Sequence, residues 1–216
     1  MKKSNKLKIL YEDKCIIVVY KDYGIPTIKS DKYKNNLYSE VYDYLHKKNQ
    51  RVFVVHRLDK DTSGLVLFAK DSKIKDTLQN NWEDVVRKYY ALVHGKTESK
   101  GVIESYIKET KTLYSYSTKD KKGDYAKTLF KRVSFNKLYS LLDIDIKTGR
   151  KNQIRVHMND NNTPILGDKK YGKKDGFRHM ALNAYYLCFK HPITKERIEI
   201  DTGIPSEFTS IMNNVK

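Results

Sequence analysis

Residues 52–70, VFVVHRLDKDTSGLVLFAK, place His56, Arg57, Asp59, Asp61, Thr62 and Ser63 in one polar stretch between two apolar runs. A carboxylate close to a guanidinium and an imidazole can act as nucleophile, general base or anion-binding group. The flanking runs 52–55 and 65–69 are β-branched, aromatic or aliphatic and of strand length, so the polar stretch reads as a loop presented by two strands. Gly64 is expected to permit the tight reversal between them. Loops held by rigid strands are the common home of active-site chemistry. The same stretch has a metal reading, because Asp59, Asp61, Ser63 and Gly64 fall at the first, third, fifth and sixth positions of a calcium-binding EF loop. Lys70 stands where that loop needs its glutamate, and 65–69 is a strand where it needs ligands, so calcium is set aside.

A second cluster is TGRKNQIRVHM, residues 148–158, which carries Arg150, Lys151, Arg155 and His157. The plain reading is a solvated basic helix. The alternative is that one arginine meets an acid of the first loop and holds it ionised and aimed. Walker A, GxGxxG, HExxH and the zinc-deaminase signature are all absent, so this is no evident nucleotide or metal enzyme. Cys15 and Cys188 each sit in an apolar run without metal-ligand spacing and read as reduced, buried thiols of a cytoplasmic protein. The opening MKKSNKLKIL lacks a leader's apolar run, and CIIVVY is too short to span a bilayer.

The elements that must position these groups are mostly strands. Residues 15–20 read as a buried strand followed by a turn through Gly24 and Pro26. Asn35 or Asn36 caps a helix over 37–48, with Leu37, Val41, Tyr44 and Leu45 at helical spacing, and Asp71 or Ser72 caps another running to Trp82. Residues 85–94 alternate as a strand with Arg87, Tyr89, Ala91 and Val93 on one face. Strand-like runs near 102–108, 112–118, 125–133 and 138–147 read as a meander or hairpin region, in which Leu142, Ile144 and Ile146 point inward. A short helix is expected over 150–158, then strands near 180–190 and 196–201 and a helix after Pro205. Few prolines and glycines, no linker and no repeat make one domain over 1–216 the expectation, with its core at about 11–208. The fold class is α+β, a mixed, largely antiparallel central sheet flanked by helices and loops.

The 43 Lys and Arg against 26 Asp and Glu give a net charge of +17, which points to a polyanionic partner. Seventeen tyrosines and seven phenylalanines among them favour RNA, whose unpaired bases stack on aromatic faces. A lysine-rich surface without such a partner is the bland alternative.

HRLDKDTSGLVLFAK, RKYYALVHG, and TGRKNQIRVHM followed by ILGDKKYG occur in this order. Together with the opening YEDK strand and the closing LCFKHPIT segment, they resemble the RluA-type pseudouridine synthases from about Tyr11 to Phe208. The resemblance implies that uridine in ribosomal RNA or tRNA is isomerised to its carbon-linked isomer on a pseudouridine synthase catalytic fold, with base flipping and without cofactor or metal. Asp59 matches the catalytic aspartate, acting on the ribose as a nucleophile or as a base that yields a glycal. Arg155 matches the arginine that pairs with it, and Tyr89 the active-site tyrosine that stacks on the target base. Arg57 resembles the arginine that enters the RNA stack where the base leaves, and Arg87 holds the lysine place of the family's KxY. Arg150 is the candidate for phosphate contact, Leu142 and Ile154 for pocket walls, and His56 and His157 for structural or RNA-contacting roles. The family's KPxG turn is here Lys21-Asp22-Tyr23-Gly24, without its proline, and Asn152 stands where most relatives have histidine. The chain is expected to carry only the catalytic domain, without the N-terminal RNA-binding domain of many members, and to be a monomer. A non-catalytic RNA chaperone or ribosome-assembly factor on the same fold is the alternative. A hydrolase would need a second acid or a metal beside Asp59, for which only Asp61 offers.

Overall fold

The structure, a computed structural model, describes residues 7–29, 33 and 35–214. The expectation that no leader opens the chain therefore falls, for residues 1–6, outside the described residues. The chain divides into two compact units: the residues up to Val85 with Leu187–Ile200, and Val86–Tyr186 with the residues from Asp201 onward.

The first unit begins with β1 (Lys8–Glu12), β2 (Ile16–Lys21), α1 (Leu37–His46), β3 (Phe53–Val54), β4 (Ser63–Ala69) and α2 (Ser72–Asn80). The Asp13 carboxylate closes the β1–β2 turn by accepting the Cys15 and Ile16 N–H groups at 2.6 and 2.8 Å. β2 pairs antiparallel with β4, from Ile16 opposite Ala69 to Lys21 opposite Gly64. Both strands are near-continuous apolar runs because both of their faces are covered. Ile16, Val18, Leu65 and Leu67 pack with Ile74 and Leu78 of α2. α1 turns Leu37, Val41 and Leu45 inward, and Asn36 caps it by accepting the Ser39 N–H. Asp71 caps α2 at Lys73 and Ile74.

Three expectations need correction in this unit. The strand expected over 52–55 is only Phe53–Val54, because beyond it His56 Nε2 accepts the Leu67 N–H that a longer ladder would have used. Gly64 does not make the reversal: the turn is closed by the Thr62 N–H to Asp59 carbonyl bond, and Gly64 lies within β4 at φ 119°. The second helix also ends at Asn80, where the Asn81 side chain takes the Thr77 carbonyl, and a 3₁₀ turn follows over Trp82–Asp84.

The second unit contains β5 (Val86–His94), β6 (Lys100–Glu109), β7 (Ser115–Thr118), β8 (Asp124–Phe135), β9 (Tyr139–Ile146) and α3 (Gln153–Asp160). β10 (Leu182–Lys190) passes from this unit into the first, where β11 (Arg197–Asp201) pairs with it, and α4 (Ser206–Asn213) follows. The sheet order is β5, β9, β8, β6, β7, all in antiparallel pairs; this departs from a meander, because β8 pairs with β6 and β9 rather than with β7, which is left at the edge, and β5 pairs with β9 rather than with β6. Arg87, Tyr89, Ala91 and Val93 share the buried side of β5, and Leu142, Ile144 and Ile146 are buried in β9. α3 starts at Gln153 rather than Arg150, since Asn152 is left-handed at φ 57° and cannot continue a helix. Among the described residues no helix is long and apolar enough to cross a membrane.

Candidate active site

Asp59 sits on a loop whose backbone is clamped on both sides. Thr27 Oγ1 donates to the Leu58 carbonyl at 2.9 Å and accepts the Leu58 N–H at 3.1 Å. On the other side Lys21, with no exposed surface, donates through Nζ to the carbonyls of Lys60, Ile25 and Asp22 at 2.8–2.9 Å. One ammonium thereby ties the 21–26 turn to the Asp59 loop, which holds that turn without the family's proline. Burial pushes the Lys21 pKa down to about 8, against the pull of Asp61, Asp59 and Asp22. Asp59 is half-buried and Arg57 is exposed. His56 packs on Trp82 with ring centroids 4.6 Å apart, so its ring is held on one face as well as at Nε2. Asp61 pairs with Lys60 at 3.6 Å on the surface, a contact of little energetic weight. Lys70 places its ammonium 2.8 Å from Glu12 and 2.6 Å from the Asp13 carbonyl, where the calcium pattern needed a ligand.

In the second unit Arg155 is held flat by three partners. Nε and Nη2 donate to the two oxygens of Asp168 at 2.8 Å each, and Nη1 donates to Asn152 Oδ1 at 2.8 Å. The Tyr171 ring lies beneath the guanidinium, 4.9 Å from its centroid. Burial alone would raise the Asp168 carboxyl, but the bonds and charge of Arg155, with the Tyr171 and Lys170 N–H groups, hold it below the usual range. Sequence reasoning missed Asp168. Its signal was the GD of ILGDKKYG, read as part of the resemblance without a role. Asn152, noted above only as a departure, proves to be Arg155's neighbour in this pair.

Tyr89 and Arg87 are nearly buried on one face of β5. Desolvation lowers the Arg87 pKa, opposed by Tyr89 and Asp145. A Cβ at Gly149 would come within 2.7 Å of Arg87 Nη1, so a larger residue in the TGR turn would displace the end of that guanidinium. Arg150 is exposed, its Nε donating to the Tyr125 carbonyl at 2.9 Å. Tyr90, on the opposite face, stacks on Tyr185 at 3.8 Å, as a packing aromatic would. Ile154 is almost fully buried and Leu142 has no exposed surface. His157 cannot touch RNA with its imidazole as expected above, because the ring is fully buried between Ser105 Oγ at 2.9 Å and Thr128 Oγ1 at 2.8 Å. Desolvation pushes its pKa down to about 4.

Among the described residues one group has metal-like spacing, Asp13, Cys15 and His191 in the first unit. The donor atoms of Asp13 and His191 are already engaged. His191 Nδ1 accepts the Ile193 and Thr194 N–H groups, so Nε2 carries the hydrogen it shares with Asp13 at 2.9 Å. Burial and Asp13 raise the Cys15 thiol pKa, which disfavours the thiolate a metal would need. The group ties the β1–β2 turn to the 191–196 loop.

Comparison with known proteins decides the family. The family model for RNA pseudouridylate synthases matches residues 15–160. The chain belongs to that family. A relative in Bacillus subtilis, the uncharacterized RNA pseudouridine synthase YlyB, is 34% identical over 97% of this chain and 73% of its own length. The tRNA pseudouridine synthase C of Haemophilus ducreyi is 30% identical over 96% of this chain and 95% of its own. The ribosomal large subunit pseudouridine synthase D of Vibrio cholerae is 31% identical, over 95% and 69% respectively. The structure of human RNA pseudouridylate synthase domain containing 4 superposes with a TM-score of 0.77, covering 94% of this chain and 90% of that one at 24% identity, which shows the shared α+β fold. The RNA pseudouridylate synthase assignment makes the chain an isomerase that acts on RNA, and it bears out the RluA-type resemblance drawn from the motifs.

Proposed function

We propose that this chain isomerises uridines in tRNA or ribosomal RNA and that Asp59 is the catalytic carboxylate. The observation that carries the reading is the clamp around Asp59. Thr27 on one side and Lys21 on the other fix the backbone while the carboxylate stays half-exposed, which is the preorganisation that nucleophilic or general-base work requires. In the reaction the bond from ribose carbon 1′ to uracil nitrogen 1 breaks, the base turns, and carbon 1′ bonds to carbon 5. Carbon 5 loses its proton and nitrogen 1 takes one up, so substrate and product are isomers. Asp59 engages the ribose as nucleophile or as base, and both routes need it ionised. Arg155, oriented by Asp168 and Asn152, is the cation assigned to that carboxylate, and Tyr89 is the ring assigned to the uracil face and to the carbon 5 proton. Arg57, exposed two residues before Asp59, fills the stack as the nucleotide is extruded, offsetting part of a loss of a few kcal/mol. The relatives named for tRNA and for the large ribosomal subunit support those two RNA classes. The two free thiols and the resemblance support a cytoplasmic monomer.

Release of tritium from transcripts carrying [5-³H]uridine tests the reading. Wild-type protein is expected to release it, and Asp59→Asn to lower the rate by roughly 10³-fold or more while RNA affinity stays within about twofold. Persistent turnover in Asp59→Asn would favour another residue, and a wild-type protein that binds RNA without release would favour the chaperone.

A further inference from the structure

On α1 three aromatic rings line up outside the core. Tyr38, Tyr42 and His46 recur at every fourth residue, whereas Leu37, Val41 and Leu45 make the buried face. The Tyr38 and Tyr42 rings stack at 6.3 Å between centroids, and Tyr42 and His46 at 5.3 Å with planes only 9° apart. Tyr42 is 43% exposed, so the row does not serve packing alone. The row borders a groove of about 390 Å³, lined further by Asn49, Gln50 and Arg51. That volume is in the range of small-ligand sites.

Three features of the groove suit a nucleobase. The column of rings leaves a flat aromatic face open at its end, since Tyr42 itself lies between Tyr38 and His46, and base stacking tolerates any sequence. Gln50 Oε1 is buried without a hydrogen-bond partner in the protein, and such acceptors are rare in native structures. It fits a donor such as a base imino or exocyclic amino group. Lys47 and Arg51 are exposed at the end of the row, and the whole chain carries +17, so the complementary charge is phosphate. Asn49, at φ 56°, makes the tight turn that brings Gln50 and Arg51 back beside the helix, where the Gln50 N–H bonds to the Leu45 carbonyl.

We propose that this groove holds an unpaired base of the RNA substrate, stacked on the open end of the ring column that Tyr42 holds together and separate from the uridine that is isomerised. No residue of the groove belongs to the Asp59 loop. The proposal rests on the reading of the chain as an enzyme of RNA, and its test separates the two. In equilibrium binding to the transcript used for tritium release, Tyr42→Ala is expected to weaken affinity at least about fivefold. It should raise KM with kcat at saturating RNA unchanged, and Tyr42→Phe should behave as wild type because the ring remains. Wild-type protein irradiated with 4-thiouridine-substituted transcript is expected to yield cross-linked peptides from 38–53. Affinity of Tyr42→Ala within twofold of wild type, or Tyr42→Phe as weak as Tyr42→Ala, would overturn the proposal, as would cross-links that avoid 38–53, even if Tyr42→Ala failed to fold. Loss of turnover in Asp59→Asn beside normal binding by Tyr42→Ala would remove the groove and leave the enzyme.

Discussion

Arg155 shows how one side chain is made into a tool. Its fork donates to both oxygens of Asp168 and to Asn152, with Tyr171 beneath, so the guanidinium plane has no freedom to turn. Asp168→Asn removes the carboxylate charge from beside a buried cation and is expected to lower stability by about 3–5 kcal/mol in urea unfolding. The tritium-release rate of the protein that remains folded should fall too. The pH dependence has a definite sign. The Asp168 carboxyl is held below its ordinary value in the folded state, so the pair stabilises the protein above the unfolded carboxyl range, near pH 4, and that part is lost as pH falls through the lowered value. Asp168→Asn should lose that part of the acid sensitivity. Asp59 and Arg155 were legible as candidates in the sequence because motif and residue type agree. Asp168 was not, since its partner lies thirteen residues back across an irregular loop. Lys21 was not either, because a lysine in a polar turn reads as solvated and only the fold shows it sealed among carbonyls.

α3 enters the second unit through a polar network rather than a standard cap. Asn152 offers no side-chain cap. Instead Gln153 accepts from Thr148 Oγ1 and the Arg150 N–H, and donates to the Lys127 carbonyl and Thr128 Oγ1. Thr128 in turn bonds to His157, which bonds to Ser105. The helix that carries Arg155 is therefore pinned to β6 and β8 by neutral groups, and the neutral form of His157 is part of the fit. Its folded pKa of about 4 lies below the ordinary histidine value near 6.5. Between those values the unfolded chain binds the proton and the folded one does not, so stability falls as pH drops from about 6.5 to 4, and this group adds no slope above 6.5. Unfolding midpoints measured across that window should show the loss, and His157→Gln should flatten it; an unchanged slope would assign the effect to other groups. At this scale the strands of the second unit were legible from alternation, but their order was not, because alternation does not say that β8 pairs with β6 and β9 instead of β7. Element ends were not, because they depend on particular side-chain claims: His56 on the Leu67 N–H shortens β3, and the left-handed Asn152 delays α3.

For the molecule as a whole, charge and aromatic content act together. Lysines sit over aromatic rings in both units, Lys60 over Tyr33 and Lys8 over Tyr20 in the first, Lys170 over Tyr114 and Lys96 over Phe135 in the second. Such cations stay near the surface with their rings and are positioned for phosphate. The composition alone made RNA the favoured partner, but it could not say which lysines matter, since a net charge of +17 is spread along the whole chain. Phosphate contacts release counter-ions, and affinity then falls linearly on a log–log plot against salt. Binding to the RNA substrate is expected to weaken at least about a hundredfold between 50 and 200 mM KCl, measured by fluorescence anisotropy. Stacking releases no counter-ion, so Tyr42→Ala should lower affinity equally at every salt concentration and leave the slope unchanged, whereas Arg57→Ala and Arg51→Ala should each make the slope shallower by close to one phosphate. Salt-insensitive binding would assign recognition to uncharged contacts, and a slope altered by Tyr42→Ala would mean that the α1 groove holds phosphate rather than base.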